Sequence, residues 1–576
     1  MIALVVTGGG IAQAQEPSPS PAPSARWIIH LPIAVSAAAI ANSPPATRAA
    51  PSAIPTGIPS PGPSPTDRPA GQVDTRFGPV IGTLSGGAWR FLGIPFAAPP
   101  IGPLRWREPA APAVWTDPLR ADAFGPACPQ YDAGALVGEE DCLTLNVWAP
   151  EDALAGGAPR PVLFFIHGGG HEQGASSMLI TDLPLYDGRE LAAGRGTVVV
   201  TINYRLGPFG FLAHPALTAE GGAKASGNYG ALDQLAALRW VRDNIAAFGG
   251  DPGKVTVFGQ SAGAVSTCRL VVSPLAAGLI QRAILMSGAC VATALPKAEA
   301  NGESVVTKLG CQGAADVPAC LRAKPAGEVM ATLDPADNGT DSLGRMTYDG
   351  VVDGYLLPEA PRALLASRRH NPVPVIVGST SAENGKSAPR IATEAEYVAA
   401  VRAYLLRSGL PTGVADRVLA TYPAADYASP RAAYIALTGD LKFVCQARTD
   451  ARLFAAGQGA PVFRYSFDHV AENGGAQARA NGASHGLDLP FLFGVLEFAI
   501  GPIRYRPGPA DRAVAAAMQG YWARFAASGD PNGEGAEQWP RVVVEGDPYL
   551  TLASPVRSGD GLRTAQCDFW DSLSGR

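Results

Sequence analysis

Lys254-Val-Thr-Val-Phe258 runs directly into Gly259-Gln260-Ser261-Ala262-Gly263, which runs directly into Ala264-Val-Ser-Thr-Cys-Arg-Leu-Val-Val272. The first segment is a short apolar, β-branched run and reads as a buried strand. The last carries apolar residues at helical spacing. Between them, G-x-S-x-G leaves no room for a loop. The chain must turn from strand to helix on Ser261 itself, a turn too tight for bulky neighbours, hence the flanking glycines. Such a turn lifts a serine hydroxyl above a sheet edge, at a helix N-terminus that favours developing negative charge. Ser261 is the candidate nucleophile.

The segments around it read the same way. Pro161-Val-Leu-Phe-Phe-Ile166 and Thr197-Val-Val-Val-Thr-Ile202 are continuous apolar runs, as expected of strands buried on both faces. Val373-Pro-Val-Ile-Val377 is another, and Phe77–Gly82 and Arg90–Ile94 suggest short early strands. Tyr229 to Phe248 has helical spacing. Strands alternating with helices imply an α/β fold, a large mostly parallel sheet with helices on both faces. His167-Gly168-Gly169-Gly170 directly follows the run that ends at Ile166. Consecutive glycines can turn backbone N–H groups toward a substrate oxygen without interference from a Cβ atom. Two such donors, with the N–H of Ala262, would form an oxyanion hole.

A serine nucleophile needs a base, and the base an orienting acid. The chain has seven histidines, and only His370, His469 and His485 follow Ser261. His485 lies in the loop-like Gly482-Ala-Ser-His-Gly-Leu487, where an imidazole could reach over Ser261; His469 sits in a strand-like stretch, Val462–Val470, and reads as structural. Glu383, in Gly378-Ser-Thr-Ser-Ala-Glu383, follows a strand and is a candidate acid among many carboxylates.

The 576 residues carry a net charge of −5, which gives no reason to expect nucleic acid or an anionic membrane as partner. No apolar run is long enough for a transmembrane helix. Residues 1–71 stand apart: EPSPSPAPS and PTGIPSPGPSPTDRP are Pro/Ser-rich and read as a disordered linker. Two export-like segments lie within this leader, Ile2 to Ala14 and Arg26 to Ala41, each ending in a small-x-small pattern. From residue 72 to 576 the chain reads as one domain. Its eight cysteines all lie between Cys128 and Cys567, an even number that suits disulfides and hence a secreted or periplasmic protein. No CxxC pair suggests a metal site.

These segments together resemble the type-B carboxylesterase family, within the α/β-hydrolase fold. The resemblance extends to Gly93-Ile-Pro-Phe-Ala97, Glu140-Asp141-Cys142-Leu143, Asn203-Tyr204-Arg205, Gly227-Asn228-Tyr229-Gly230 and Phe248-Gly249-Gly250-Asp251-Pro252. It implies a triad of Ser261, Glu383 and His485, an oxyanion hole of Gly169, Gly170 and Ala262, and no metal or organic cofactor. Arg105 with Glu140, and Arg205 with Asp233, match family ion pairs, and Ser287 matches a buried hydroxyl near the triad. Among the roughly 105 pairings of eight cysteines, the resemblance implies Cys128 with Cys142, Cys311 with Cys320, and Cys445 with Cys567. Cys268 and Cys290 then remain to pair behind the nucleophile helix. The implied activity is hydrolysis of small-molecule or polymer esters, of short to medium acyl chain or aryl type. A lipase acting on long-chain acylglycerols and a non-catalytic binding member of the fold are the rival readings. Three departures from the family pattern stand out. Gln260 replaces the usual Glu beside the nucleophile. The Cys128–Cys142 loop is short and has no Trp, which with Gln260 argues against a choline substrate. His171 follows the glycines where an aromatic or small residue is usual, and either lines a substrate pocket or fills surface.

Overall fold

The computed structural model describes residues 69–333, 341–497, 499–500, 503–543 and 546–574. The leader expected over 1–71, with both export-like segments and His30, falls outside these residues apart from its last three.

Eleven strands form one twisted sheet: β1 (Thr83–Ser85), β2 (Ala88–Pro95), β3 (Thr144–Pro150), β4 (Arg160–Ile166), β5 (Val198–Ile202), β6 (Gly250–Gln260), β7 (Arg282–Met286), β8 (Val375–Thr380), β9 (Val462–Phe467), β10 (Tyr549–Leu552) and β11 (Arg557–Gly559). Their spatial order is β11-β10-β9-β8-β7-β6-β4-β5-β3-β2-β1. From β5 to β10 every neighbouring pair is parallel. β3, β2 and β1 continue antiparallel at one edge and β11 at the other. The strand expected over Val373–Val377 begins two residues later, because Pro374 has no N–H to give to a ladder. Tyr229–Phe248 is α-helical only to Asn244 and ends as a 3₁₀ turn closed by Gly249 in the left-handed region.

Why the central runs are apolar throughout is visible in the packing. Val162, Phe164 and Ile166 of β4 belong to one core, while Leu163 and Phe165 between them belong to another. The first core contains α2 (Tyr229–Asn244), α3 (Ala262–Val272) and α4 (Cys445–Gly457). The opposite core contains α1 (Arg189–Arg195), α5 (Asp488–Phe493) and α6 (Pro509–Ser528). Alternating residues of β4 therefore feed two interiors, which is why the run is apolar throughout. Four disulfides join Cys128 to Cys142, Cys268 to Cys290, Cys311 to Cys320, and Cys445 to Cys567. Cys268 lies on α3, so the second bridge sits just behind the Ser261 turn. No helix among the described residues is long and apolar enough to cross a membrane.

Candidate active site

β4 lies between β5 and β6, so the chain order reverses there, the kind of switch point at which loops leaving the carboxyl ends of parallel strands form a ligand crevice. His167-Gly-Gly-Gly170 leaves β4, and Ser261 leaves β6. Two strands away, Glu383 leaves β8.

Ser261 is held at φ 58°, ψ −125°, with α3 starting at the next residue. The glycines on either side are steric requirements. A Cβ on Gly259 would lie 2.3 Å from the carbonyl oxygen of Gly263, and one on Gly263 would lie 2.0 Å from that of Ile166. The turn is pinned by the Ser261 N–H, which donates to Met286 O at 2.9 Å. Ser287, buried and itself at φ 52°, continues this contact by donating its N–H to Gly378 O at 2.8 Å.

Glu383 is buried and its two oxygens are both used. Oε1 accepts the Thr380 N–H at 2.8 Å, and Oε2 lies 2.5 Å from His485 Nδ1. The backbones are tied as well, His485 N–H to Glu383 O at 3.0 Å and Ala382 N–H to Ala483 O at 3.0 Å. A carboxylate only accepts, so the proton between the two side chains is on Nδ1 and His485 Nε2 presents a lone pair. That lone pair faces the Ser261 turn: Gln260 Nε2 donates to it at 3.1 Å. Among the described residues no hydrogen bond joins Ser261 Oγ to the same nitrogen. The Phe443 ring packs on the imidazole at 4.7 Å between centroids.

On the other side of Ser261, Gly168 packs against the turn so closely that a Cβ there would lie 3.0 Å from Ser261 Cβ. Gly169 and Gly170 have φ values of 109° and 65°. Among the described residues, the N–H groups of Gly169, Gly170 and Ala262 are not taken by other acceptors. His167 stacks on Tyr204, whose hydroxyl donates to His167 O at 2.9 Å. Burial lowers the His167 imidazole to about 4, so it stays neutral. The remaining histidines are placed elsewhere, His469 on Asp511 at 2.7 Å, His370 on Gln458 at 3.1 Å and His214 on Glu303 at 2.9 Å. Arg105 with Glu140 and Arg205 with Asp233 are bidentate pairs away from this crevice, and each Arg also donates to main-chain carbonyls. His171 is fully buried, so it does not fill surface.

One residue beside the site escaped the sequence reading. Asp488, three residues beyond His485 and the first residue of α5, is fully buried and accepts the Tyr465 hydroxyl at 3.2 Å. Burial first, then the charge of Glu383, push its carboxyl up to about 7 against the opposing pull of His485. The available signal was a lone acid in the apolar run Leu487–Phe493.

The comparisons with known proteins agree with this architecture. A family model described as carboxylesterase family matches residues 69–570. The chain is 37% identical to fumonisin B1 esterase of Sphingopyxis macrogoltabida, covering 85% of this chain and 87% of that one. It is 36% identical to human cocaine esterase (86% and 90% covered) and 35% identical to para-nitrobenzyl esterase of Bacillus subtilis (84% and 95% covered). Among solved structures, a PNB esterase superposes with a TM-score of 0.71 at 33% identity, covering 86% of this chain and 99% of the other. The sheet described above is thus that of the α/β-hydrolase fold, and the chain belongs to the carboxylesterase family, as a hydrolase of carboxylic esters.

Proposed function

We propose that Ser261, His485 and Glu383 carry out this hydrolysis as a triad, in two acyl-transfer steps. The observation that carries the reading is the relay of contacts from Glu383 Oε2 through His485 Nδ1 to Nε2, which ends at the strained turn bearing Ser261. His485 Nε2 takes the Ser261 proton as Oγ attacks the ester carbonyl, which requires Gln260 to give up its place on that nitrogen. Glu383, buried and held by the Thr380 N–H, keeps the Nδ1 tautomer and stabilises the imidazolium that forms. The carbonyl oxygen becomes an oxyanion, taken by the N–H groups of Gly169, Gly170 and Ala262; one such donor is worth about 3–4 kcal/mol. The imidazolium then protonates the leaving alcohol, and water repeats the sequence on the acyl-enzyme. No step calls for a metal or an organic cofactor.

The substrates are short- to medium-chain or aryl esters, in keeping with relatives named for para-nitrobenzyl and cocaine ester hydrolysis. The enzyme works outside the cytoplasm: residues 1–71 form an export leader and linker, and residues 72–576 form the single catalytic domain. Four disulfides support that location. The test is initial-rate hydrolysis of p-nitrophenyl esters from acetyl to palmitoyl. Ser261→Ala is expected to abolish turnover, and Glu383→Gln to lower kcat by about 10³–10⁴-fold by releasing the tautomer. Wild-type rates in either variant would refute the assignment. A maximum at palmitoyl would favour the lipase reading of the same site.

A further inference from the structure

The glycine run that leaves β4 does not end its left-handed course at Gly170. His171 also has a positive φ, 61°. Glycine takes this conformation freely, whereas a side chain with a Cβ atom is strained in it. The strain persists only where the surroundings dictate it, and here the imidazole is what they hold. It is fully buried and stacks on Phe211 at 4.6 Å between centroids, with planes 23° apart. Its backbone oxygen accepts the Gly207 N–H at 2.7 Å.

The ring's Nε2 lies 3.1 Å from the carbonyl oxygen of Ala262 and 3.0 Å from Ser266 Oγ. Ser266 Oγ in turn accepts from Gln234 Nε2 at 3.1 Å. A carbonyl can only accept, and Nδ1 makes no hydrogen bond among the described residues, so Nε2 carries the proton and donates. Ala262 is the first residue of α3 and the neighbour of Ser261. His171 is the neighbour of Gly170. One hydrogen bond therefore spans the gap between the two segments whose N–H groups converge above Ser261.

We infer that His171 is a positioning residue for the oxyanion hole: through Nε2–H to Ala262 O it locks the Gly169–Gly170 donors to the first turn of the nucleophile helix. The inference rests on the triad and oxyanion assignment above. Its logic is geometric. The glycines that let the loop present its N–H groups also leave it soft, and an oxyanion is stabilised only by donors held near 3 Å from where it forms. A rigid ring, packed and hydrogen-bonded at the loop's end, supplies the missing stiffness. The role needs a neutral donor with one tautomer. Burial, and then the charge of Arg269, push the His171 imidazole well below its ordinary range, so it stays neutral across the working pH. The charged groups around it are Arg269 and Asp349, paired with each other, and Asp349 Oδ1 lies 3.8 Å from His171 Nδ1.

Two substitutions separate positioning from packing. His171→Phe keeps a ring against Phe211 and removes the donor. His171→Gln keeps an N–H at about the reach of Nε2 and removes the ring. With p-nitrophenyl butyrate, His171→Phe is expected to lower kcat at least 30-fold with KM within threefold of wild type. Affinity for a butyl trifluoromethyl ketone, whose hemiketal oxyanion occupies the same hole, should fall by the same factor as kcat/KM. His171→Gln should stay within tenfold of wild type in kcat, whatever its thermal midpoint. Wild-type kcat in His171→Phe overturns the inference. So does unchanged ketone affinity, or equal losses in the two variants that simply follow their midpoints. If neither variant folds, ¹⁵N NMR of histidine-labelled wild-type protein decides: a neutral Nε2–H ring from pH 6 to 8 is expected, and an Nδ1–H tautomer or a protonated ring overturns it. Ser261→Ala, run alongside, reports on the nucleophile separately. Wild-type turnover in that variant would remove the underlying site assignment, whereas normal ketone binding by His171→Phe would remove only the role of His171.

Discussion

Asp488 shows how an individual residue near the proposed triad is tuned by its surroundings. Its carboxyl is pushed up to about 7, chiefly by burial and secondarily by Glu383. The fold therefore keeps a proton that the unfolded chain releases near pH 4. This favours the folded state at low pH, and the contribution is lost as pH rises through about 7. Asp488→Asn mimics the protonated form, and its amide oxygen can still accept the Tyr465 hydroxyl. The stability of this variant relative to wild type should rise between pH 4 and pH 8, by on the order of 1–3 kcal/mol, as followed by thermal or urea midpoints at each pH. A difference independent of pH would show that Asp488 does not titrate in this range. The sequence marked it only as a lone acid in an apolar run, which is usually solvated, and the packing against Tyr465 shows that this one is buried. The contact between Gln260 and His485 was equally hidden, since the residues are 225 positions apart. Ser261, by contrast, was legible because the constraint on it is local: two glycines, a strand before and a helix after.

At the level of elements, the turn between β6 and α3 is tightly constrained. Gly263 faces the backbone of β4, and a Cβ there meets the Ile166 carbonyl oxygen at 2.0 Å, with no flexible side chain to yield. Gly263→Ala should destabilise the protein by about 3 kcal/mol or prevent its folding. Gly222→Ala, where a Cβ would meet nothing within 4 Å, should stay within about 0.5 kcal/mol of wild type by the same denaturation assay. Equal stability of the two variants would contradict the steric account. β3, β7 and β10 were not read in the sequence; β4, β5, β6 and β8 were, to within a few residues, because continuous apolar runs suit strands buried on both faces. Their ends were not, since Pro374 and the Ile245–Phe248 turn act through hydrogen-bond geometry that periodicity does not report.

Across the whole molecule, the bridge between Cys445 and Cys567 joins residues 122 positions apart, the longest separation of the four. It fastens the C-terminal helix α7 (Thr564–Ser574) to the start of α4. Two residues before α4, Phe443 packs on His485, so the bridge lies close in sequence to a residue that supports the proposed base. Replacing both cysteines by alanine should cost about 2–5 kcal/mol of stability. Full reduction of the wild type, which opens all four bridges, should lower the urea midpoint at least as far. A double variant as stable as wild type would show that the helix contacts suffice without the bridge. Which cysteines pair was legible only through family resemblance, because spacing leaves about 105 arrangements open. The acyl and alcohol preferences leave no periodic mark in the sequence, so the reading in advance extended only to the chemistry proposed at Ser261.

That chemistry is open to direct capture. Wild-type enzyme mixed with a slowly deacylating p-nitrophenyl ester, quenched in acid within the burst and digested, should yield one peptide heavier by the acyl group, with the modification on Ser261. The adduct should decay at the steady-state turnover rate. Turnover with no covalent adduct, or an adduct on any other residue, would contradict the account.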